Sequence, residues 1–374
     1  MSKMKLPLVE MNQEPAPKDL IHPYSENQLR PKTFADYVGQ KVVAAQLELF
    51  VKAAKSREQV LDHVLLSGPP GLGKTTLAFI VAQELGGRLV QVPGPSIERS
   101  ADLLSILTEL RRGDVLFIDE IHRLNRVIEE SLYPGMEDFR IQLVMGEGAT
   151  AQSIPMELER FTLVGATTQP GKLSAPLRDR FGIQLNLDFY AVDEMEIILA
   201  RSASILGIRL SPVELKAIAQ RSRGTPRIGN RLLARVRDFV DVLDDPKVGA
   251  LSHRVQQAVE AGTRTHRGEE RVEWALDFLE VDPLGLQALD RKYLEALCGA
   301  FRGGPVGVEA LAATLSEDRS TLEETIEPFL LKVGLMVRTG RGRVATSRAY
   351  EHLGIEKIVS SQESLLLESE SQSS

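Results

Sequence analysis

Residues 68–75 read Gly68-Pro69-Pro70-Gly71-Leu72-Gly73-Lys74-Thr75, a complete G-x-x-x-x-G-K-[ST] loop entered from the apolar run His63-Val64-Leu65-Leu66-Ser67. Context gives this pattern its meaning. A strand before the loop and a helix after it, Thr75-Thr76-Leu77-Ala78-Phe79-Ile80-Val81-Ala82, direct backbone N–H groups and the positive helix end at one anion. The glycines permit the inward turn, Lys74 has the reach for the outer phosphates, and the Thr75 hydroxyl can hold Mg2+. The segment predicts a site for a nucleoside triphosphate.

Outward from this loop, strand and helix alternate. Residues 39–62 read as helix, with Val42, Val43, Leu47, Leu49, Phe50 and Val51 near helical spacing. Leu89-Val90-Gln91-Val92 is a short strand, Ala101 to Leu110 a helix, Val115-Leu116-Phe117-Ile118 an apolar run, and Phe161 to Ala166 a further strand. This alternation predicts an α/β fold with a parallel sheet covered on both faces. From Val192 to about Leu279 the pattern is helical throughout. Beyond Pro283, helices are expected at 286–299 and 307–332. They are followed by two β-prone runs around Gly340 and Gly342 that read as a basic hairpin, hence a winged helix.

The chain has 374 residues, enough for two or three domains, and an ordinary globular composition of 43% hydrophobic and 26% charged residues. Cys298 is the only cysteine, which excludes an intramolecular disulfide framework and points to a reducing compartment; a cytoplasmic location is expected. The net charge of −7 weighs against nucleic acid, but a local patch counts for more than the total. Lys332, Arg338, Arg341, Arg343 and Arg348 lie in a stretch without an acid.

Asp119-Glu120 follow the apolar run 115–118, where acids at a strand's carboxyl end beside a phosphate loop are placed for metal chemistry. Asp119 is the expected Mg2+ ligand, and Glu120 the group that polarises attacking water. Thr167-Thr168 end the next strand, where a hydroxyl can hydrogen-bond a phosphate or the water. Arg178 and Arg180 flank Asp179, and either guanidinium can spread charge over a phosphoryl group, in cis or from a neighbouring subunit. Gly224-Thr225-Pro226-Arg227 opens a helix, and its Arg227 can reach a nucleotide held between two domains.

In this order, the motifs resemble the AAA+ ATPases, and within them the RuvB family, motor subunits of bacterial Holliday-junction branch migration. The closer likeness rests on Arg30-Pro31-Lys32, Tyr37-Val38-Gly39-Gln40, Leu116–Leu124, Pro176–Gly182, Gly224–Arg231, Phe301–Gly307 and Arg341-Gly342-Arg343, and runs from about Leu29 to Gly354. The resemblance implies a large AAA+ domain over 1–190 with a loose leader to residue 25, a helical lid over 191–281 and a winged-helix head over 282–354. An acidic, serine-rich tail over 355–374 is read as disordered. It also implies a homo-hexamer that uses ATP and Mg2+ on four-way and duplex DNA, with a RuvA-like partner and a junction resolvase in the same complex. Nucleotide contacts are implied at Leu29, Arg30, Gly71, Gly73, Lys74, Thr75, Thr76, Glu137, Asp138, Phe139, Tyr190 and Arg227. Catalytic roles fall to Lys74, Asp119, Glu120, Thr167 and Arg180, the last matching the family's arginine finger better than Arg178. DNA contacts are implied at Arg319, Arg338 and Arg343. The hairpin read over 141–158 is the expected partner-docking element through Val144 and Met145. The segment 240–281 and the tail depart from the family pattern.

Overall fold

The computed structural model describes residues 9–10, 26–145, 152–244 and 271–356. The chain divides into two compact units, Met1–Arg237 and Asp238–Ser374. Strands β1 (Val9–Glu10), β2 (Val64–Ser67), β3 (Leu89–Pro93), β4 (Val115–Asp119), β5 (Arg140–Met145), β6 (Gln152–Glu157), β7 (Thr162–Thr167) and β8 (Ile183–Asn186) belong to the first unit.

The main sheet has the order β1-β3-β4-β7-β2-β8. All its pairings are parallel except that of the short edge strand β1 with β3. β2, β4 and β7 occupy its middle and are apolar nearly without interruption, as strands covered on both faces must be. Leu116, Ile118, Leu163, Phe161 and Phe181 lie in the core beside Leu103, Leu107 and Leu132 of the covering helices. Because the strands are parallel, the phosphate loop after β2, Asp119-Glu120 at the end of β4 and Thr167-Thr168 at the end of β7 share one edge of the sheet.

β8 is not evident from the sequence. Its four residues alternate buried and exposed, and it pairs with β2 as the outer strand. The helix read over 39–62 spans Lys41–Ser56, opened by Gln40 in a left-handed backbone conformation. β5 and β6 pair antiparallel as a separate two-stranded sheet. Val144 and Met145 sit opposite Ser153 and Gln152 in this ladder. Their side chains and residues 146–151 lie outside the described residues. Helices Val192–Leu206, Pro212–Arg221 and Pro226–Asp244 follow, the division between the two units falling within the third.

In the second unit, helix Ala288–Glu295 runs on into a wider turn at Ala296–Ala300. The helix expected over 307–332 is two helices. The first, Val308–Leu315, stops at Ser316, whose φ of 55° is left-handed, and helical backbone resumes at Arg319. The apolar rhythm crosses the break because Leu311, Leu322, Ile326 and Leu330 all enter the same core. Strands β9 (Met336–Thr339) and β10 (Gly342–Ala345) form the wing, and Cys298 is buried in the core. The polar run 262–270 and the tail beyond 356 lie outside the described residues. Among the described residues no helix is long and apolar enough to cross a membrane.

Candidate nucleotide site and nucleic-acid interface

One cavity in the first unit is lined by Leu29, Arg30, Gly71, Gly73, Lys74, Thr75, Thr76, Asp119, Glu120, Tyr190 and Arg227. Three loop glycines hold φ values that side-chain-bearing residues rarely adopt: 137° at Gly68, 80° at Gly71 and 102° at Gly73. A Cβ on Gly71 would stand 2.8 Å from Thr225 Cγ2 and 3.0 Å from Arg227 Cβ, so the lid closes directly against the loop. The Arg227 N–H also donates to the Gly71 carbonyl at 3.4 Å.

Lys74 is buried, and its ammonium donates to the Gly68 and Pro69 carbonyls at 2.7 and 2.9 Å. Burial pulls its pKa down to about 8 against the opposing charges of Glu120 and Asp119, so it remains a cation at neutral pH. The two acids are pushed apart. Burial, reinforced by the charge of Glu120, raises Asp119 above the usual carboxylate range. Burial raises Glu120 too, but hydrogen bonds from His122 and Thr168 outweigh it and hold that carboxyl low. Glu120 adopts a left-handed backbone with φ 51° where the chain leaves β4, a conformation costing on the order of 1 kcal/mol that turns its side chain toward β7.

At that point it is Thr168 that meets Glu120, and Thr167 that meets His122. The Thr168 hydroxyl and N–H donate to Glu120 Oε2 at 3.0 and 3.4 Å. Thr167 is fully buried; its Oγ1 lies 2.9 Å from His122 Nδ1 and accepts from the Gln169 N–H. His122 Nδ1 is also 3.1 Å from Glu120 Oε2. His122 therefore belongs to the constellation, although its sequence setting, a histidine without metal-ligand spacing, gave no chemical signal.

Tyr37 is a second residue that pattern reading does not single out as a site group. Its hydroxyl is 2.9 Å from the Tyr190 hydroxyl, which donates to the Leu72 carbonyl, so the pair braces the loop from below. A Cβ on Gly73 would lie 3.0 Å from that Tyr37 oxygen. Arg201 from the lid donates to the Leu29 and Asp36 carbonyls, holding the entry segment over the cavity it lines with Ser202 and Asn230. No motif marks Arg201 or Ser202; only the closure of the lid on the loop brings them in.

Arg180 and Glu137, Asp138 and Phe139 do not line this cavity. The Arg180 guanidinium stacks 4.0 Å above the Tyr133 ring centroid, pairs with Glu137 at 3.0 Å and donates to the Pro176 carbonyl at 2.7 Å. Phe139 packs edge-on to Phe161 and near His63. Arg178 donates to the Pro170 carbonyl instead.

In the second unit, Arg338 and Arg343 are cross-strand partners on the wing. Both pair with Glu327, which is fully buried and also accepts from the Tyr293 hydroxyl at 2.9 Å. Arg343 further pairs with Glu323 at 2.6 Å, and Arg319 pairs with Glu323 at 2.9 Å and Glu309 at 3.1 Å. The three implied DNA contacts are thus gathered into one cluster.

The cavity fits a nucleotide with a divalent ion. Three loop positions hold backbone open only to glycine, and Lys74, Arg227, Thr75 and Asp119 line the cavity with an ammonium, a guanidinium, a hydroxyl and a carboxyl. A phosphate loop between sheet and helix, acids at the end of β4 one strand removed from it, and a helical lid set against the loop define a P-loop ATPase of the AAA+ class. Three family descriptions match in succession: the Holliday junction DNA helicase RuvB P-loop domain over residues 29–187, the RuvB AAA lid domain over 190–263, and the RuvB C-terminal winged helix domain over 283–354. The chain belongs to the RuvB family of Holliday junction branch-migration motors. It is similar to the solved structure of the Thermotoga maritima RuvB branch migration motor at 45% identity and a TM-score of 0.76, with 88% of this chain and 99% of that one covered. A point variant of the same Thermotoga protein matches at 45% identity and a TM-score of 0.77, with 87% and 99% covered.

Proposed function

We propose that this chain hydrolyses ATP to drive branch migration of four-way DNA junctions, acting as one subunit of a homo-hexameric ring. The observation that carries this reading is a separation. Lys74, Thr75, Asp119, Glu120 and Arg227 line one cavity, whereas Arg180 stands away from it, stacked on Tyr133 and paired with Glu137. An arginine finger that cannot serve its own cavity has its natural substrate in the site of a neighbouring subunit. Glu137, which pairs with Arg180, and the adjoining Asp138 and Phe139 would meet the same neighbour's nucleotide.

Within one subunit, Lys74 and the loop N–H groups bind the phosphates, and Glu120 orients and polarises the water, its carboxylate held ionised by His122 and Thr168. Thr75 and Asp119 are the residues that would hold Mg2+, which supplies charge neutralisation at the phosphates. Arg227, against the loop, senses the outer phosphate and tilts the lid. The winged-helix head tracks the DNA backbone without reading sequence, as a motor on arbitrary DNA requires. The β5–β6 hairpin is the docking element for a RuvA-like junction-binding protein, and a junction resolvase joins the same assembly in the cytoplasm. The functional divisions are 1–190, 191–281 and 282–354.

ATP-driven dissociation of a labelled four-way junction, with a RuvA-type partner present, tests this. Dissociation that disappears in Lys74→Ala supports the motor. ATP hydrolysis without junction movement would instead favour a AAA+ loader that spends ATP once per assembly event.

A further inference from the structure

The three arginines implied to touch DNA are already engaged. Arg319 commits Nε and Nη2 to Glu323 and Nη1 to Glu309, so all three of its nitrogens face carboxylates. Arg343 gives Nη2 to Glu323 at 2.6 Å and Nε to Glu327 at 3.0 Å. Its side chain is only 14% exposed. The two acids differ in kind. Glu327 is fully buried and ties Arg338, Arg343 and the Tyr293 hydroxyl together, which fits a structural anchor for the wing. Glu323 lies one helical turn earlier at 28% exposure, reachable from the surface that a DNA backbone would approach.

A carboxylate forked on a guanidinium occupies the same planar donors that a phosphate uses. Burial works against the charge on Glu323, but hydrogen bonds from Arg319 and Arg343 outweigh it and keep the carboxyl below its usual range, a full anion at neutral pH. By contrast Arg341, exposed at the tip of the wing, has no side-chain partner among the described residues.

We propose that Glu323 is an internal competitor for phosphate: it holds Arg319 and Arg343 and must be displaced when the head grips DNA, which keeps the grip weak and reversible. The inference rests on the reading of the winged helix as the DNA-binding head. A motor that steps along a backbone has to release each contact, and a carboxylate that recaptures the arginine lowers the cost of release. It also predicts a shallow salt dependence, because a phosphate arriving at Arg319 displaces a carboxylate in place of part of the counter-ion release that otherwise drives binding.

The test is fluorescence anisotropy of the full chain on a labelled duplex of arbitrary sequence, across a salt series, with Glu323→Gln, Arg319→Gln, Arg338→Gln and a double variant Glu323→Gln/Arg319→Gln. Glu295→Gln, which removes one exposed acid elsewhere in the unit, controls for net charge. Glu323→Gln is expected to tighten binding roughly three- to tenfold beyond the Glu295→Gln control, from the release of one exposed and one half-buried pair. The log–log salt slope should steepen by about one per freed arginine. In the double variant the share of that gain carried by Arg319 should vanish, leaving at most the share carried by Arg343. Binding that falls in Arg319→Gln and Arg338→Gln but fails to rise in Glu323→Gln beyond the control overturns the inference alone. An undiminished gain in the double variant also overturns it, by reducing Glu323 to a generic charge. Binding unaffected by Arg319→Gln and Arg338→Gln removes the DNA-binding reading and the inference with it. Glu309→Gln, expected to give a smaller gain through Arg319 only, stands in should Glu323→Gln not fold.

Discussion

Replacing His122 by alanine removes one of the donors to Glu120 and leaves those from Thr168, and the consequence can be sized from the geometry. His122 Nδ1 lies 3.1 Å from Glu120 Oε2 with its side chain 4% exposed, so water cannot readily substitute for it. A hydrogen bond to a charged group contributes about 1.5–3 kcal/mol. Glu120 keeps two contacts from Thr168, one of them long, so the carboxylate should stay near its place but lose charge stabilisation and orientation. Taking about 2 kcal/mol as the loss felt in the transition state gives a fall in kcat of roughly thirtyfold, since 1.36 kcal/mol is a factor of ten. His122 does not line the nucleotide cavity, so nucleotide affinity should stay within about twofold. The sign of the pH effect follows from the same contacts. They favour the ionised form of Glu120, so removing one raises its pKa, and activity should fall away at higher pH on the acid side than in the parent protein. The assay is steady-state ATP hydrolysis against pH, with nucleotide affinity measured separately and thermal unfolding to check that the vacated space is tolerated. His122→Asn, which restores a donor, should recover part of the rate. A kcat within threefold of the parent, or a rate and an affinity that fall together, would refute this account of His122.

Arg180→Ala should leave nucleotide affinity unchanged and lower hydrolysis by about 10³-fold or more. Mixed rings with Lys74→Ala subunits locate the arginine's partner site, and hydrolysis rescued only within the same subunit would refute the crossing role. His63 is a buried acid-sensitive group: its Nδ1 accepts from the Leu163 N–H and its Nε2–H donates to the Met136 carbonyl, an arrangement only the neutral ring satisfies. Burial lowers its pKa, outweighing the Met136 carbonyl and the charge of Asp62, so the stability tied to it is present above about pH 6.5 and lost as pH falls through the folded value. His63→Gln should therefore flatten the decline in Tm between about pH 7 and 5 relative to the parent. Parallel curves would exclude His63 as the cause.

Much of the site was readable because its parts are local. A glycine loop between an apolar run and a helix, paired acids at a strand end and arginines around Asp179 are short patterns that need only neighbouring residues to make sense. The parallel sheet was likewise legible from apolar runs alternating with amphipathic ones. β8 escaped because four residues of alternating character carry too little periodicity to separate strand from loop. The break at Ser316 escaped because periodicity reports which face meets the core, and both helices meet the same core.

The sequence by itself determined that this chain binds a nucleotide, carries a helical segment after the sheet and holds a basic hairpin beyond it. Tertiary structure alone decided that Tyr37 braces the loop through a contact 153 positions away, and that Thr168 rather than Thr167 meets Glu120. It also decided that Arg180 stands off from its own cavity and that the wing's arginines are held by buried and half-buried carboxylates. Backbone propensity and hydrophobic period are properties of adjacent residues. Pairing, desolvation and charge compensation depend on which distant segments strand order and helix packing bring within hydrogen-bonding reach.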